Sequence, residues 1–166
     1  VRRAAAAGLV VLGLCGFARA GENDAPAPPK KTANWIEYGE ALSRATTEDK
    51  HVLVDFYTQW CGWCKVMDRQ TYADPRVVEL LNTNFLIARI DAESAKKLQV
   101  GDAQLSGREL AQQFGVQSFP MTWFLKPDGS KLGNVPGFQK PDPFIRLLEY
   151  VHERRYVEEE APKKNQ

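Results

Sequence analysis

Two cysteines two residues apart, in Trp60-Cys61-Gly62-Trp63-Cys64-Lys65, are the best-placed reactive groups in the chain. Thiols at this spacing can hold a metal, brace a loop or exchange with another disulfide. Zinc wants four ligands and the pair supplies two. The histidines, His51 and His152, stand at the head of a strand and on the last helix with no helpful spacing, so no metal is expected. A bridge around so small a loop removes little chain entropy, which makes it a poor brace. Exchange is the use that remains favoured, with a metal half-site and a static bridge as its alternatives.

The residues before the pair sharpen that reading. His51-Val52-Leu53-Val54-Asp55-Phe56-Tyr57 is a β-rich run, apolar on both faces apart from Asp55, which predicts a buried central strand. The strand delivers the chain to Cys61, where a helix is predicted to start. Free N–H groups and the helix dipole there stabilise a thiolate, so Cys61 is the expected attacking sulfur. Cys64, one turn in, is the expected resolving sulfur. Asp55 is a carboxylate in the middle of an apolar strand, costly without a task or a partner. Burial raises its pKa, and beneath Cys64 it would serve as a general base. The bland alternative is an aspartate wetted at a sheet edge. Pro120, after Phe119, sits at the mouth of the strand predicted for Met121–Leu125, which suits a cis bond or an N–H that is not needed. Trp60 and Trp63 flank the cysteines; Trp63 is expected to be exposed, with a core tryptophan as the alternative.

The elements that must position these groups follow from pattern. Asn34 with Glu37 reads as a capping box opening a helix over about 35–46, with Trp35, Tyr38, Ala41, Leu42 and Ala45 at helical spacing. A helix is expected from Cys61 to about Tyr72. Asp74-Pro75 then reads as a cap with proline in the first turn of another, carrying Val77, Val78 and Leu81. Phe85–Ile90 is a second strand ending at Asp91, and residues 92–105 are polar and without a clear element. Ser106 with Glu109 opens a helix over about 107–114 that Gly115 stops. Pro127-Asp128-Gly129-Ser130 turns the chain into a returning strand at Lys131–Val135. Asp142-Pro143 starts a last helix with Phe144, Leu147, Leu148 and Val151 inward. This order predicts an α/β fold with one central mixed sheet flanked by helices.

Composition bounds the rest. The chain has 166 residues, 43% of them apolar and 26% charged, which suits one domain with a core. With 22 basic and 21 acidic residues it has no field to hold nucleic acid. Arg2 and Arg3 precede an apolar stretch, Ala4–Phe17, and Ala18-Arg19-Ala20 offers small residues to a signal peptidase. Residues 1–20 are therefore expected to be a signal peptide, with a membrane anchor over residues 4–17 or a lipoprotein at Cys15 as the alternatives. Cleavage would leave Cys61 and Cys64 as the only cysteines. Residues 21–33 read as a flexible leader, 34–157 as the domain and 158–166 as a charged, frayed tail.

Trp-Cys-Gly-Trp-Cys-Lys preceded by Val-Asp-Phe-Tyr resembles the active site of the thioredoxin superfamily, and the order of elements over about 33–152 matches that fold. The resemblance implies Cys61 as nucleophile, Cys64 as resolving cysteine and Asp55 as the buried acid. It makes Pro120 the cis-proline facing the disulfide, Phe119 the backbone edge that pairs with a bound chain, and either Gly133 or Gly137 the glycine at the rim. Trp60, Gly62 and Trp63 complete the expected partner-binding surface. Cytosolic thioredoxins have proline where this chain has Trp63. That difference, the run after Cys64 and the longer 91–108 segment resemble exported members linked to sulfur oxidation and the C-terminal domain of the membrane thiol:disulfide interchange reductase. The implied activity is thiol:disulfide exchange without a cofactor. The implied partners are exported proteins carrying disulfides and a membrane electron donor, the chain itself being a periplasmic monomer. A disulfide oxidase or isomerase, or a non-catalytic peptide-binding module, is the alternative.

Overall fold

The computed structural model describes residues 32–160; the expected signal peptide and most of the leader lie outside them. Strand β2 (His51–Tyr57) is the axis of the molecule, buried along nearly its whole length. Parallel to it on one side runs β3 (Phe85–Asp91), and antiparallel on the other runs β6 (Met121–Leu125). Strands β1 (Trp35–Ile36) and β7 (Lys131–Pro136) form the two edges, giving the order β1-β3-β2-β6-β7.

Alternation along β2 divides the core in two. Val52, Val54 and Phe56 pack with Tyr38, Ala41 and Ala45 of helix α1 (Tyr38–Glu48) and Leu110 and Phe114 around α4 (Gly107–Gln113). Leu53 packs on the opposite face with Met67 of α2 (Gly62–Gln70), Leu81 of α3 (Pro75–Asn84) and Phe144 of α5 (Pro141–His152). The mixed sheet between two helical layers is the expected α/β architecture.

Local capping chemistry sets several boundaries where the sequence predicts them. Asp74 accepts from the Arg76 N–H at 2.9 Å, with Pro75 in the first turn of α3. Ser106 and Glu109 form a reciprocal box at the start of α4. Gly115, at φ 65°, follows that helix.

Three segments differ from the sequence reading. The expected helix over 35–46 starts later: Trp35 and Ile36 form β1, and α1 begins at Tyr38 after Glu37, without a side-chain cap. Asn34 caps nothing there; its N–H donates to Asn82 Oδ1 at 2.9 Å. Pairing Trp35 with Ile87 and Ile36 with Ala88 satisfies an edge of β3 that would otherwise stay open. Within the unplaced stretch 92–105 runs a hairpin of β4 (Lys97–Val100) and β5 (Ala103–Ser106), turned at Gly101 with φ 57°. Leu98, Val100 and Leu105 pack on the α1 side of the core. The hairpin lies so close to α1 that a Cβ on Gly39 would collide with the Gln99 carbonyl. Finally, α6 (Arg155–Glu160) runs into the stretch read as tail, and Tyr156 is buried.

Candidate active site

Cys61 is the N-cap of α2, and the two cysteines are joined in a disulfide with their Cα atoms 5.3 Å apart. The Cys64 N–H donates to Cys61 Sγ at 3.0 Å. That backbone donor and the open first turn of α2 are aimed at the sulfur that would carry charge after reduction. Both cysteines are nearly covered, while Gly62 between them is exposed and has open space where a Cβ would stand.

Trp60 and Trp63 remain 66% and 62% exposed, which is exceptional for large apolar side chains in this fold. Each leans on a second ring. Trp60 meets Phe119 edge-on at 6.0 Å, and its indole N–H donates to Glu93 Oε2 at 3.0 Å. Trp63 stacks on Phe138 at 5.7 Å. The Phe119–Pro120 bond is cis. Pro120 O accepts from the Gly137 N–H at 2.8 Å, and Gly137 has φ 76°. Of the two glycines the resemblance offers for the rim, Gly137 is thus tied to Pro120, whereas Gly133 pairs with Phe124 inside β7. Trp60 and Phe119 form one pair of rings and Trp63 and Phe138 another, and the Pro120–Gly137 bond links the segments that carry Phe119 and Phe138.

Asp55 is fully buried on β2. The partner such a carboxylate requires comes from the next strand. In the parallel register Asp55 sits beside Arg89 of β3, whose Nε lies 3.0 Å from Asp55 Oδ2. The contact is ionic, and the Tyr72 hydroxyl is the carboxyl's other polar neighbour. Arg89 also reaches Asp68 Oδ1 of α2 at 2.8 Å. Burial pushes the Asp55 carboxyl up to about 6, against the opposing pull of Arg89. Tyr72 is held well above the usual tyrosine range, first by burial and then by the charge of Asp55.

Sequence reasoning missed Arg89, Asp68, Tyr72, Phe138 and Glu93. One signal was legible: Arg89 interrupts the apolar run Phe85-Leu86-Ile87-Ala88-Arg89-Ile90 just as Asp55 interrupts its own strand. Two opposite charges set into neighbouring buried strands invite pairing. His51 is far from the sulfurs. It is buried at the other end of β2, with Nε2 2.8 Å from the Tyr156 hydroxyl. Among the described residues no group of three or more histidine, cysteine or acidic side chains is placed to hold a metal.

A disulfide-forming pair at a helix N-terminus, next to a cis-proline on a five-stranded mixed sheet, defines a thiol:disulfide oxidoreductase. The chain belongs to the thioredoxin-like domain family, whose model matches residues 38–152. The thiol:disulfide interchange protein DsbD of Ralstonia nicotianae is 32% identical over 114 residues, covering 68% of this chain and 17% of that protein. The chain thus spans about a sixth of the length of that curated relative. A thioredoxin from Thermus thermophilus superposes with a TM-score of 0.66 at 25% identity, over 81% of this chain and 98% of that one. The DsbD C-terminal domain of Neisseria meningitidis in the reduced form gives 0.51 at 28% identity, over 66% and 90%.

Proposed function

We propose that the protein reduces disulfides of exported proteins with a Cys61/Cys64 dithiol that a membrane electron donor recharges. The observation that carries this reading is the redox pair at the start of α2, with the buried Asp55 on the sheet face that α2 covers and two exposed tryptophans beside the pair. Cys61 attacks the partner's disulfide, Cys64 resolves the mixed disulfide, and Asp55 accepts the Cys64 proton. Trp60, Gly62, Trp63, Phe119 and Pro120 receive the partner's chain around its cysteine. The leader pattern over residues 1–20 supports export to the periplasm, and among the described residues no helix is long and apolar enough to cross a membrane. The similarity to two DsbD proteins, one named for thiol:disulfide interchange, supports a place beside a membrane redox partner.

Direction is tested by the reduction potential, measured by thiol trapping in glutathione buffers. We expect a value between about −270 and −180 mV, the span from thioredoxin to protein disulfide isomerase. A value near −120 mV, where strong oxidants lie, would replace the reductase with an oxidase.

A further inference from the structure

Among the described residues, three large apolar side chains stand mostly in solvent: Trp60, Trp63 and Val157. Two of them flank the redox pair, where a partner's disulfide must approach, and their surroundings differ. The Trp60 ring carries the exposed Glu93 carboxylate on its indole N–H and meets Phe119 edge-on, at 85°. Trp63 lies nearly flat on Phe138, with 22° between the ring planes. That support is held on both sides. Before it, Gly137, in the left-handed region at φ 76°, gives its N–H to the Pro120 carbonyl at 2.8 Å. After it, the Gln139 carbonyl accepts from the Thr71 hydroxyl at the end of α2, and the Gln139 amide turns back to the Pro136 carbonyl at 3.1 Å. Phe138 is half-buried, and the stack leaves most of Trp63 open to solvent. Gly62 offers open space where a Cβ would stand, so a chain crossing the cysteines meets no side chain there. A flat ring fixed before contact loses little rotamer freedom on binding, and its exposed face is better covered by an apolar side chain than by water.

We propose that Trp63 and Phe138 form a selectivity ledge: they favour partners whose attacked cysteine is flanked by a large apolar side chain, which seats on the open face of Trp63. Phe138 is the positioning residue behind that face. This rests on the oxidoreductase reading above and names the class of substrate it prefers, a disulfide set among apolar residues over one set among polar ones. The Trp60 side suits such a residue less, because the Glu93 carboxylate at the indole edge has to stay hydrated. The chemistry itself is unaltered. The Cys61 thiolate attacks a partner sulfur, and the bond between them forms as the partner's disulfide breaks and its other sulfur leaves as a thiolate. The Cys64 sulfur, its proton given up, then attacks Cys61 Sγ, and the second partner sulfur leaves. Two electrons have passed to the partner, whose two thiolates take up the Cys64 proton and one from solvent. The ledge acts on the first step, holding the flanking side chain while the three sulfurs come into line.

The test uses symmetric disulfide dimers of two short peptides, Ser-Phe-Cys-Phe-Ser and its counterpart with serine in place of both phenylalanines, so that both sulfurs and both flanks are equivalent. The readout is the ratio of the second-order rate constants at which the two dimers oxidise the reduced protein. A change in thiol reactivity or in the amount of folded protein affects both dimers alike and cancels in that ratio. The wild type should favour the phenylalanine dimer about tenfold. Phe138→Ala should cut the preference to about threefold, and Trp63→Ala should abolish it. Phe138→Leu, which keeps an apolar support, should fall between Phe138→Ala and the wild type, and it carries the test if the alanine variant does not fold. Equal rates for the two dimers in the wild type, a preference that survives Trp63→Ala, or a ratio unchanged by both Phe138 substitutions would each overturn the proposal. A second readout needs no turnover. Cys61 of Cys64→Ser is joined to each peptide through a pyridyl-activated disulfide, and the Trp63 indole N–H resonance should shift further with the phenylalanine peptide than with the serine one. The same Trp63 resonance in both adducts would overturn the ledge alone. A wild-type protein that reacts with neither dimer would overturn the oxidoreductase reading instead, while the two adducts would still report whether the flanking ring seats on Trp63.

Discussion

Strand β2 buries a titratable side chain at each end, and the two are treated in opposite ways. At its start, His51 is sealed beneath α6 and its ring nitrogen meets the Tyr156 hydroxyl at 2.8 Å. Burial, with Arg154 adding to it, depresses the imidazole to about 4, so the ring is neutral at any ordinary pH. Near the other end, Asp55 has an ionic neighbour in Arg89, and burial pushes its carboxyl up to about 6. Desolvation acts on both. One polar group is satisfied and locked. The other has a protonation state that changes close to neutrality, as a proton acceptor needs. Burial alone does not mark a chemical group; a carboxyl that titrates near neutrality, on the sheet face covered by the helix of a reactive pair, does.

The largest expected effect bears on the reactive end. Cys61→Ser should reduce disulfide exchange to background and trap few partners, whereas Cys64→Ser should accumulate long-lived mixed disulfides on non-reducing gels. Equal trapping by both variants would remove the assigned roles.

Asp55→Asn is next. Resolution should slow by about 10²-fold near neutral pH, within the range for loss of a general base, and attack by Cys61 should change less. Stability supplies a second readout with a definite sign. The folded-state pKa of Asp55 lies above its ordinary 3.8, near 6. Its contribution is therefore fully present below about pH 4 and is lost as pH rises through 6, a change of about 3 kcal/mol. Urea unfolding of oxidised Asp55→Asn should lack that decline and match or exceed the wild type above pH 6. Unchanged resolution with a loss of several kcal/mol would make Asp55 a structural anchor, like His51.

His51 titrates with the opposite sign. Its folded-state pKa lies below 6.5, near 4, so its contribution is present above 6.5 and lost as pH falls through 4. His51→Phe should remove a loss of a few kcal/mol over that acid window and leave exchange kinetics unchanged. The smallest effect belongs to Tyr156→Phe, which deletes the hydroxyl that His51 meets and should cost about 1 kcal/mol at pH 7, with no change in reduction potential. A shift in potential from either substitution would mean that the two ends of β2 are coupled, and the contrast between them would fail.

Much of the fold could be read locally because the signals are local. Asp74-Pro75, the Ser106–Glu109 box and the β2 run each declare themselves within a few residues, and the structure places an element at each. The hairpin at 97–106 left a weaker trace, Gly101-Asp102 between Val100 and Ala103, a two-residue turn with apolar alternation beside it. At β1 a local rule misled: Asn34 and Glu37 have capping-box spacing, but an open edge of β3 offered Trp35 and Ile36 hydrogen bonds that a first helical turn cannot supply.

The sequence by itself determined the Cys61–Cys64 spacing at a helix start, the burial of Asp55 and the layered α/β order, since each depends on short-range periodicity and capping. Tertiary structure alone decided what surrounds them. Arg89 reaches Asp55 through the β2–β3 register, Phe138 reaches Trp63 from beyond β7, and Tyr156 reaches His51 across 105 residues of chain. Propensity acts between near neighbours, whereas the partner of a buried charge or of an exposed ring is set by which strands pair and which helices cover them.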